Sequence, residues 1–486
     1  MAYSLADASP LTRRRLPVAL GMAAVCYLFL LALGARQLND ADTYWQIALG
    51  HWILAHTQLP HADTFSWTMA GKPWISSQWL AQVLFAKAFD MASWSGVVVL
   101  SAAAIAGAFG LLTRFLLEKL GTRPALVLAA GGFVLASPHL VARPHVLAMP
   151  VMVAWVAGLV RAADEKRAPS LALLPLITLW ANLHGGFTLG LALVGAFALD
   201  ALWNAAPSER ARIARRWIAF AVLAVSAACV TPYGPESILV TARVLGLGNA
   251  LALIGEWQPQ NFAKLAGFEL CLIAGIGFAL YRGLKLPPVR LLILLGLLHM
   301  ALSANRNAEV LGLLAPLIVA TPLAPQIGRR EADAAGPAHW GTILVMILAL
   351  AVTSAGAARA FAYRPNPRIA PAAAVEAVKA SGKTHLLNSY GFGGYLIAEG
   401  IKPFIDGRTE LYGETFVLRH DRAVNLRDVG AFLRLLRDKK IDVTLLAPAT
   451  PANGLLDRLK GWQRVYADQF AVVHVRTSPV PTDELQ

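Results

Sequence analysis

The sequence predicts a polytopic α-helical membrane protein of about eleven transmembrane helices, followed by a small C-terminal α/β soluble domain. Three observations carry this. Of the 486 residues, 57% are hydrophobic and only 15% charged, against roughly 25% charged in an average soluble domain, so the chain cannot cover its apolar surface in water. The apolar residues fall in long, nearly uncharged runs, and after about Arg359 short apolar runs of ordinary polarity replace them. Disorder, a disulfide scaffold and an ordinary soluble enzyme are excluded by the same composition. Cys26, Cys229 and Cys271 each sit in an apolar run and read as buried small hydrophobes, with no metal-binding spacing.

Along the chain, the long apolar stretches lie near 17–35, 95–117, 124–137, 145–160, 169–183, 186–203, 214–231, 266–281, 288–303, 307–324 and 340–358. Several fall short of the ~20 residues that a straight spanning helix needs, 124–137 and 169–183 most clearly. Arg13, Arg14 and Arg15 precede the first stretch, but no small-x-small exit follows it, so it reads as a retained span rather than a cleaved signal.

The basic residues set the orientation. Alternate loops hold Arg13–Arg15, Lys119, Arg123, Arg161, Lys166, Arg167, Arg210, Arg212, Arg215, Arg216, Arg282, Lys285, Arg290, Arg329 and Arg330. The opposite loops hold only Arg36, Lys72, Lys87, Arg143, Arg243, Lys264 and Arg306, spread over more residues. The positive-inside rule therefore puts the N-terminus in the cytoplasm, and an odd number of spans puts the C-terminal domain outside. Much of the formal net charge of +14 is explained by this asymmetry, and no aromatic-interleaved basic stripe points to nucleic acid.

Two stretches are not spans. The external loop 36–94 carries Trp45, Trp52, Trp67, Trp74, Trp79 and Trp94. Indole favours the headgroup layer, which predicts short amphipathic helices on the outer leaflet. In the tail, HLLNSY, KPFIDGR, DVTLLAP, QRVYAD and FAVVHVR read as strands, with helices at 371–381, 392–399, 428–440 and 453–460. The expected organisation is a transmembrane domain over 1–358, including the amphipathic loop, and an α/β domain with a mostly parallel sheet over 365–478. The only linker-like stretch is YRPNPRIAP, 363–371, and no internal repeat is evident.

Polar groups at membrane depth are costly, so their placement is informative. Once the chain is oriented, they gather on the external side. Asp40 and Asp42 follow the first span, with His51, His61, Asp63 and Gln78 beyond them. SPHLVARPHV brings His139, Arg143 and His145, and WANLHGGF brings Asn182 and His184 before a tight Gly185–Gly186 turn. Glu256 and Trp257 lie in the loop 232–265, and Asn305, Arg306 and Asn307 between two later spans. These regions are expected to line one external cavity at the membrane surface.

An acidic pair after the first span, an aromatic first external loop, about eleven spans and an external C-terminal domain resemble the GT-C superfamily of polyprenyl-phosphate-sugar-dependent glycosyltransferases. More closely, DADTYWQIALGHWILAH, PHADTFSWTMAGKPWISSQWL, WANLHGGF, GGYL and FIDGR resemble a bacterial group of GT-C-related membrane proteins. The resemblance covers nearly the whole chain. It implies a multi-pass protein of the bacterial cytoplasmic membrane that moves a sugar from a polyprenyl-phosphate donor to an extracytoplasmic glycan, lipid or protein, by inversion. It implies a catalytic carboxylate at Asp40 or Asp42, which takes or orients the acceptor's proton. Arg143, His145, Asn182, His184, Glu256 and Arg306 are then the candidate substrate-binding residues, the cations and donors among them facing the leaving phosphate. A divalent cation between the carboxylates and the phosphate fits hard oxygen ligands, but nothing in the residues demands one. Membrane lipids are expected partners and nucleic acid is not.

Each signal has a plainer alternative. Asp40 or Asp42 could cap the helix beginning near Thr43. His184 could be a packed interfacial histidine, Arg143 a headgroup anchor, Arg306 a cap of span ends, and His51, His61 and Asp63 stabilisers of the loop. SYGFGGYL lacks nucleotide-loop spacing. Asp406-Gly407-Arg408 reads as a turn with an internal Asp–Arg pair, or as a carbohydrate-binding edge. The competing functions are a transporter or flippase of a lipid-linked or anionic substrate, and a non-catalytic envelope-assembly protein. The lack of repeats and the gathering of polar groups at one face favour an enzyme.

Overall fold

The structure is a computed structural model that describes residues 10–327, 340–361 and 363–477. Arg329, Arg330 and the last residue of the expected 365–478 domain lie outside the described residues. The chain forms two compact units. One comprises Met1–Gln37, Met91–Leu239 and Ile254–Tyr363, the other Leu38–Asp90, Val240–Leu253 and Arg364–Gln486.

In the first unit every apolar stretch named above is helical. The helices are Pro10–Ala32, the later part of Trp79–Lys119, Thr122–Ala136, Pro144–Asp164, Leu174–Leu183, Phe187–Trp203, Pro207–Ala228, Gly267–Arg282, Pro288–Ser303, Ala308–Ile327 and Trp340–Ala360. Proline opens several of them, where its missing N–H costs nothing and its fixed φ suits the first turn. Trp79–Lys119 is interrupted at Ala92 and Ser93, whose backbone is non-helical. Among the described residues, three helices are long and apolar enough to cross a membrane: Trp79–Lys119, Pro144–Asp164 and Asn305–Ile327. Some of the others are shorter than a straight span requires. Leu174–Leu183 has 10 residues, about 15 Å of helix against a hydrocarbon core of about 30 Å. Trp155, Trp180, Trp217, Phe187, Phe197 and Phe220 are fully buried between helices. Gly132 and Gly312 allow Thr122–Ala136 and Ala308–Ile327 to meet backbone to backbone, since a Cβ on Gly132 would come within 3.2 Å of the Gly312 carbonyl carbon.

A buried ionic cluster ties helix ends together in this unit. Arg290 Nε donates to Asp200 Oδ2 at 2.9 Å and a second guanidinium nitrogen donates to Asp164. Lys119 Nζ and Thr321 Oγ1 donate to Asp164 Oδ2 at 2.9 and 2.7 Å. Two cations balance two carboxylates, so truncating one member leaves a buried charge unpaired. Arg290→Ala is expected to cost about 3–5 kcal/mol, seen as a lowered midpoint of thermal unfolding in detergent, whereas a surface Arg212→Ala leaves that midpoint within error.

The second unit contains a four-stranded sheet of order β1-β2-β4-β3, with β1 Leu386–Asn388, β2 Val443–Leu446, β3 Trp462–Ala467 and β4 Val472–Arg476. Only β1 and β2 are parallel; β2/β4 and β3/β4 are antiparallel. The expectation of a mostly parallel sheet is corrected here. QRVYAD and FAVVHVR are joined by a tight turn, in which Asp468 Oδ1 accepts from Phe470 N and Ala471 N at 2.7 Å, and so short a connection forces an antiparallel pair. KPFIDGR is not a strand either. The Asn388 side chain substitutes for a neighbouring strand: its Oδ1 accepts from Phe404 N at 2.8 Å and its Nδ2 donates to Ile405 O at 2.8 Å. The chain then enters a helix that sequence reading did not foresee, Thr409–Val424.

In the first loop Trp45 and Trp74 are buried, while Trp52, Trp67, Trp79 and Trp94 are half-buried. The helix Asp42–His56 buries Trp45, Leu49 and Ile53 against Trp74 and Ile397. Trp67 Nε1 donates to Leu386 O at 3.1 Å, and Trp74 Nε1 to Glu410 Oε1 at 3.0 Å. Indole here supplies apolar area with one polar handle, each handle satisfied inside the unit.

His420 is buried and donates from Nε2 to Asn388 O at 2.9 Å. Burial pushes its pKa down to about 4. The unfolded state therefore binds the proton first, and stability is full above pH 6.5 and falls as pH drops toward 4. The loss is roughly 3 kcal/mol across that window. His420→Gln, which keeps a donor without a titrating ring, should flatten the slope of the unfolding midpoint against pH between 6.5 and 4.

Candidate functional site

In the first unit, loops at one end of the helices bring together residues far apart in sequence. Arg143 precedes Pro144 and is extended, with φ −130° and ψ 161°, as a residue before proline favours. Its side chain is thereby released from the helix that Pro144 opens. Glu256 and Trp257 belong to the one-turn helix Gly255–Trp257, and Arg306 to Asn305–Asn307. These two turns are tied to each other: Asn305 N donates to Gln258 O at 2.9 Å, and Asn305 Nδ2 to Gly255 O at 3.0 Å.

The result is a convergence of two guanidiniums on one carboxylate. Arg143 Nη1 donates to Glu256 Oε2 at 2.5 Å and Arg306 Nη1 to Glu256 Oε1 at 2.7 Å. All three side chains are about one-fifth to one-quarter exposed, and the Arg306 guanidinium lies 4.6 Å from the Trp257 ring centre. Burial alone would raise the Glu256 pKa, but Arg143 and Arg306, joined by His145 and His139, hold it down to about 2. The carboxylate is therefore ionised at every physiological pH.

Three histidines complete the cluster. His145 Nε2 approaches both the His139 carbonyl oxygen, at 3.0 Å, and the Glu309 carboxylate, at 3.2 Å. The His145 and His184 rings are 6.1 Å apart. His184 ends the helix Leu174–Leu183 in an extended conformation, and its Nδ1 accepts from Gly186 N at 3.1 Å. Burial first, then His145, Arg306 and Arg143, push its pKa well down. His184 is thus a neutral imidazole whose proton sits on Nε2, a donor without charge. Burial likewise lowers the His139 pKa.

Glu309 was not among the candidate residues, because a glutamate opening an apolar helix reads as an ordinary first-turn acid. The signal available was its position three residues beyond Arg306. Asn182 is engaged differently from its neighbours in sequence: its Nδ2 donates to Thr178 O at 2.8 Å and Val230 O at 3.0 Å, tying two helices together.

Asp40 and Asp42 belong to the second unit. Asp40 Oδ1 accepts from Asp42 N at 2.8 Å, an Asx turn that opens the helix Asp42–His56. Asp42 Oδ1 accepts from Trp45 Nε1 at 3.0 Å. Asp40 thus makes the local turn expected of a capping aspartate, and Asp42 stands on the rigid first turn. Asp63 is wholly buried, accepting from Phe65 N, Ser66 N and Ser66 Oγ. His51 Nε2 lies 2.8 Å from Asp90 Oδ1 on the exposed face. Among the described residues no group of three or more His, Cys, Asp or Glu is arranged to hold a metal ion.

No family model matches the chain, and no curated protein matches its sequence. Solved structures do match its fold. The archaeal oligosaccharyltransferase AglB from Archaeoglobus fulgidus, in complex with an inhibitory peptide and a dolichol-phosphate, superposes with a TM-score of 0.53 at 12% identity, over 87% of this chain and 69% of that one. The apo form of the Archaeoglobus fulgidus oligosaccharyltransferase gives 0.52 at 13% identity, over 89% and 69%. At this identity the likeness is one of fold: the chain shares the fold of these oligosaccharyltransferases over most of its length.

Proposed function

We propose that this protein is a membrane glycosyltransferase that moves a sugar from a polyprenyl-phosphate donor to an extracytoplasmic acceptor. The observation that carries this reading is the seat made by Arg143 and Arg306, two guanidiniums closing on the Glu256 carboxylate. A seat that holds two carboxylate oxygens with fork-shaped donors also suits two oxygens of a phosphate. Leaving-group charge grows on that phosphate as the sugar departs, and preorganised cations stabilise it most in a site shielded from water. His184, a neutral donor at Nε2, and His145 add hydrogen bonds to the same charge. Asn182 supports this loop by fixing the end of its helix.

Asp42 is assigned as the carboxylate that accepts the acceptor's proton, and Asp40 as the residue that shapes its turn. The AglB structure contains a dolichol-phosphate, a lipid phosphate of the class proposed as donor here. The proposed setting is a bacterial cytoplasmic membrane, with the C-terminal domain on the outer side. Native mass spectrometry of the purified protein tests the donor class. A co-purifying polyprenyl phosphate supports the reading, and preparations from membranes rich in that lipid that carry none sink it.

A further inference from the structure

Two motifs singled out in the sequence, GGYL and FIDGR, have no part in the phosphate seat, yet they surround Asp42. A Cβ on Gly407 would come within 2.8 Å of Asp42 Cγ and 3.2 Å of Oδ2, and would overlap Oδ1. Gly407 has no positive φ, so glycine is required there for space alone. A Cβ on Gly394 would lie 3.0 Å from the Ala41 carbonyl carbon and 3.4 Å from Trp45 Cδ1. One on Gly393 would lie 2.5 Å from Asp406 Cα. Three glycines thus remove side chains where the two motifs meet each other and the start of the helix Asp42–His56.

The residues on either side of Gly407 are immobilised by charge. Arg408 donates from Nε to Asp406 Oδ1 at 2.8 Å, from Nη2 to Asp406 Oδ2 at 2.7 Å and from Nη1 to Asp63 Oδ1 at 2.6 Å. Tyr412 adds its hydroxyl to Asp406 Oδ2 at 2.7 Å. The side chains of Asp63, Asp406 and Arg408 are at most 1% exposed. A buried ion cluster of this kind adds little net stability over apolar side chains of the same volume, so what distinguishes it is the geometry it imposes. That geometry fixes the one backbone position lying against the Asp42 carboxylate.

We propose that Gly407, clamped by Asp406 and Arg408, is a positioning residue that seats the Asp42 carboxylate for proton transfer. This rests on the assignment of Asp42 as the base. Displacing a reacting group by about 1 Å costs on the order of 100-fold in rate, and a methyl at position 407 forces a displacement of that kind.

The test has two independent arms on the full chain. In native membranes, the pair Asp42→Cys with Gly407→Cys should form an intrachain disulfide under mild oxidation, read by peptide mass spectrometry; its absence overturns the seating. In the second arm, radiolabelled polyprenyl-phosphate sugars extracted from the source membranes serve as donor. Gly407→Ala should lower kcat about 100-fold and leave the donor KM within about twofold. Combined with Asp42→Asn it should cause no further loss, as expected when both act through one carboxylate. A merely structural defect would instead add to the Asp42→Asn loss, and that additivity, like a wild-type kcat in Gly407→Ala, overturns the proposal. If Asp42→Asn itself keeps full transfer while the disulfide forms, the assignment of the base fails although the seating stands.

Discussion

Asp42→Asn is expected to abolish sugar transfer, lowering kcat by about 10²–10⁴-fold, the usual contribution of a positioned general base. The carboxamide keeps the size of the side chain and can still accept from Trp45 Nε1, so folding and membrane abundance should stay unchanged. Asp40→Asn should be far milder. Its carbonyl oxygen can still accept from Asp42 N, the bond that opens the helix, and asparagine suits the same turn. Transfer assays on the two single variants and the double variant decide the matter. Full activity in all three removes both aspartates from the chemistry.

The second large effect is expected at the guanidiniums. Arg143→Gln and Arg306→Gln should each weaken donor binding and slow transfer, because both the bound phosphate and the departing one lose a charge-assisted donor. A hydrogen bond to a charged group is worth about 1.5–3 kcal/mol, or roughly 10–150-fold. Each single variant leaves Glu256 with one arginine partner, so the loop should remain folded. Lysine should rescue only in part at either position, since it keeps the charge but not the planar guanidinium that donates from Nη1. Equilibrium binding of a radiolabelled polyprenyl phosphate measures the loss. Unchanged binding in the double variant Arg143→Gln with Arg306→Gln would overturn the assignment of this phosphate seat.

How far the sequence reached depends on the kind of signal. Among the described residues, each apolar run of the first unit contains a helix, because helices in lipid or a dense core need little beyond apolar length. Runs also overstate spans: prolines at helix starts and the Gly185–Gly186 turn cut several helices short of a bilayer's width. Arg143, His145, His184, Glu256 and Arg306 were legible as candidates because charge in a loop between apolar helices is rare, and the structure does bring these five together. Glu309 was hidden by its ordinary position in a first helical turn.

The C-terminal unit was read less well. Strand direction depends on long-range pairing, and a short apolar run such as KPFIDGR does not say whether its backbone bonds go to a strand or to one asparagine side chain. The tryptophans of the first loop carry a related ambiguity. Indole suits a headgroup layer and a protein core equally, and only tertiary contacts separate the two. GGYL and FIDGR were visible as motifs, but what they pack against lies more than three hundred positions away, at Ala41 and Asp42.

The most direct test of glycosyl transfer uses the purified full chain in lipid nanodiscs, supplied with radiolabelled polyprenyl-phosphate sugars and a cell-envelope acceptor fraction from the source membranes. Label should move from the organic-soluble lipid to the acceptor, and this transfer should vanish in Asp42→Asn. Label that stays on its lipid carrier while the protein binds that lipid would contradict transfer, and movement of the carrier-attached label across the bilayer of sealed proteoliposomes would then identify a flippase instead.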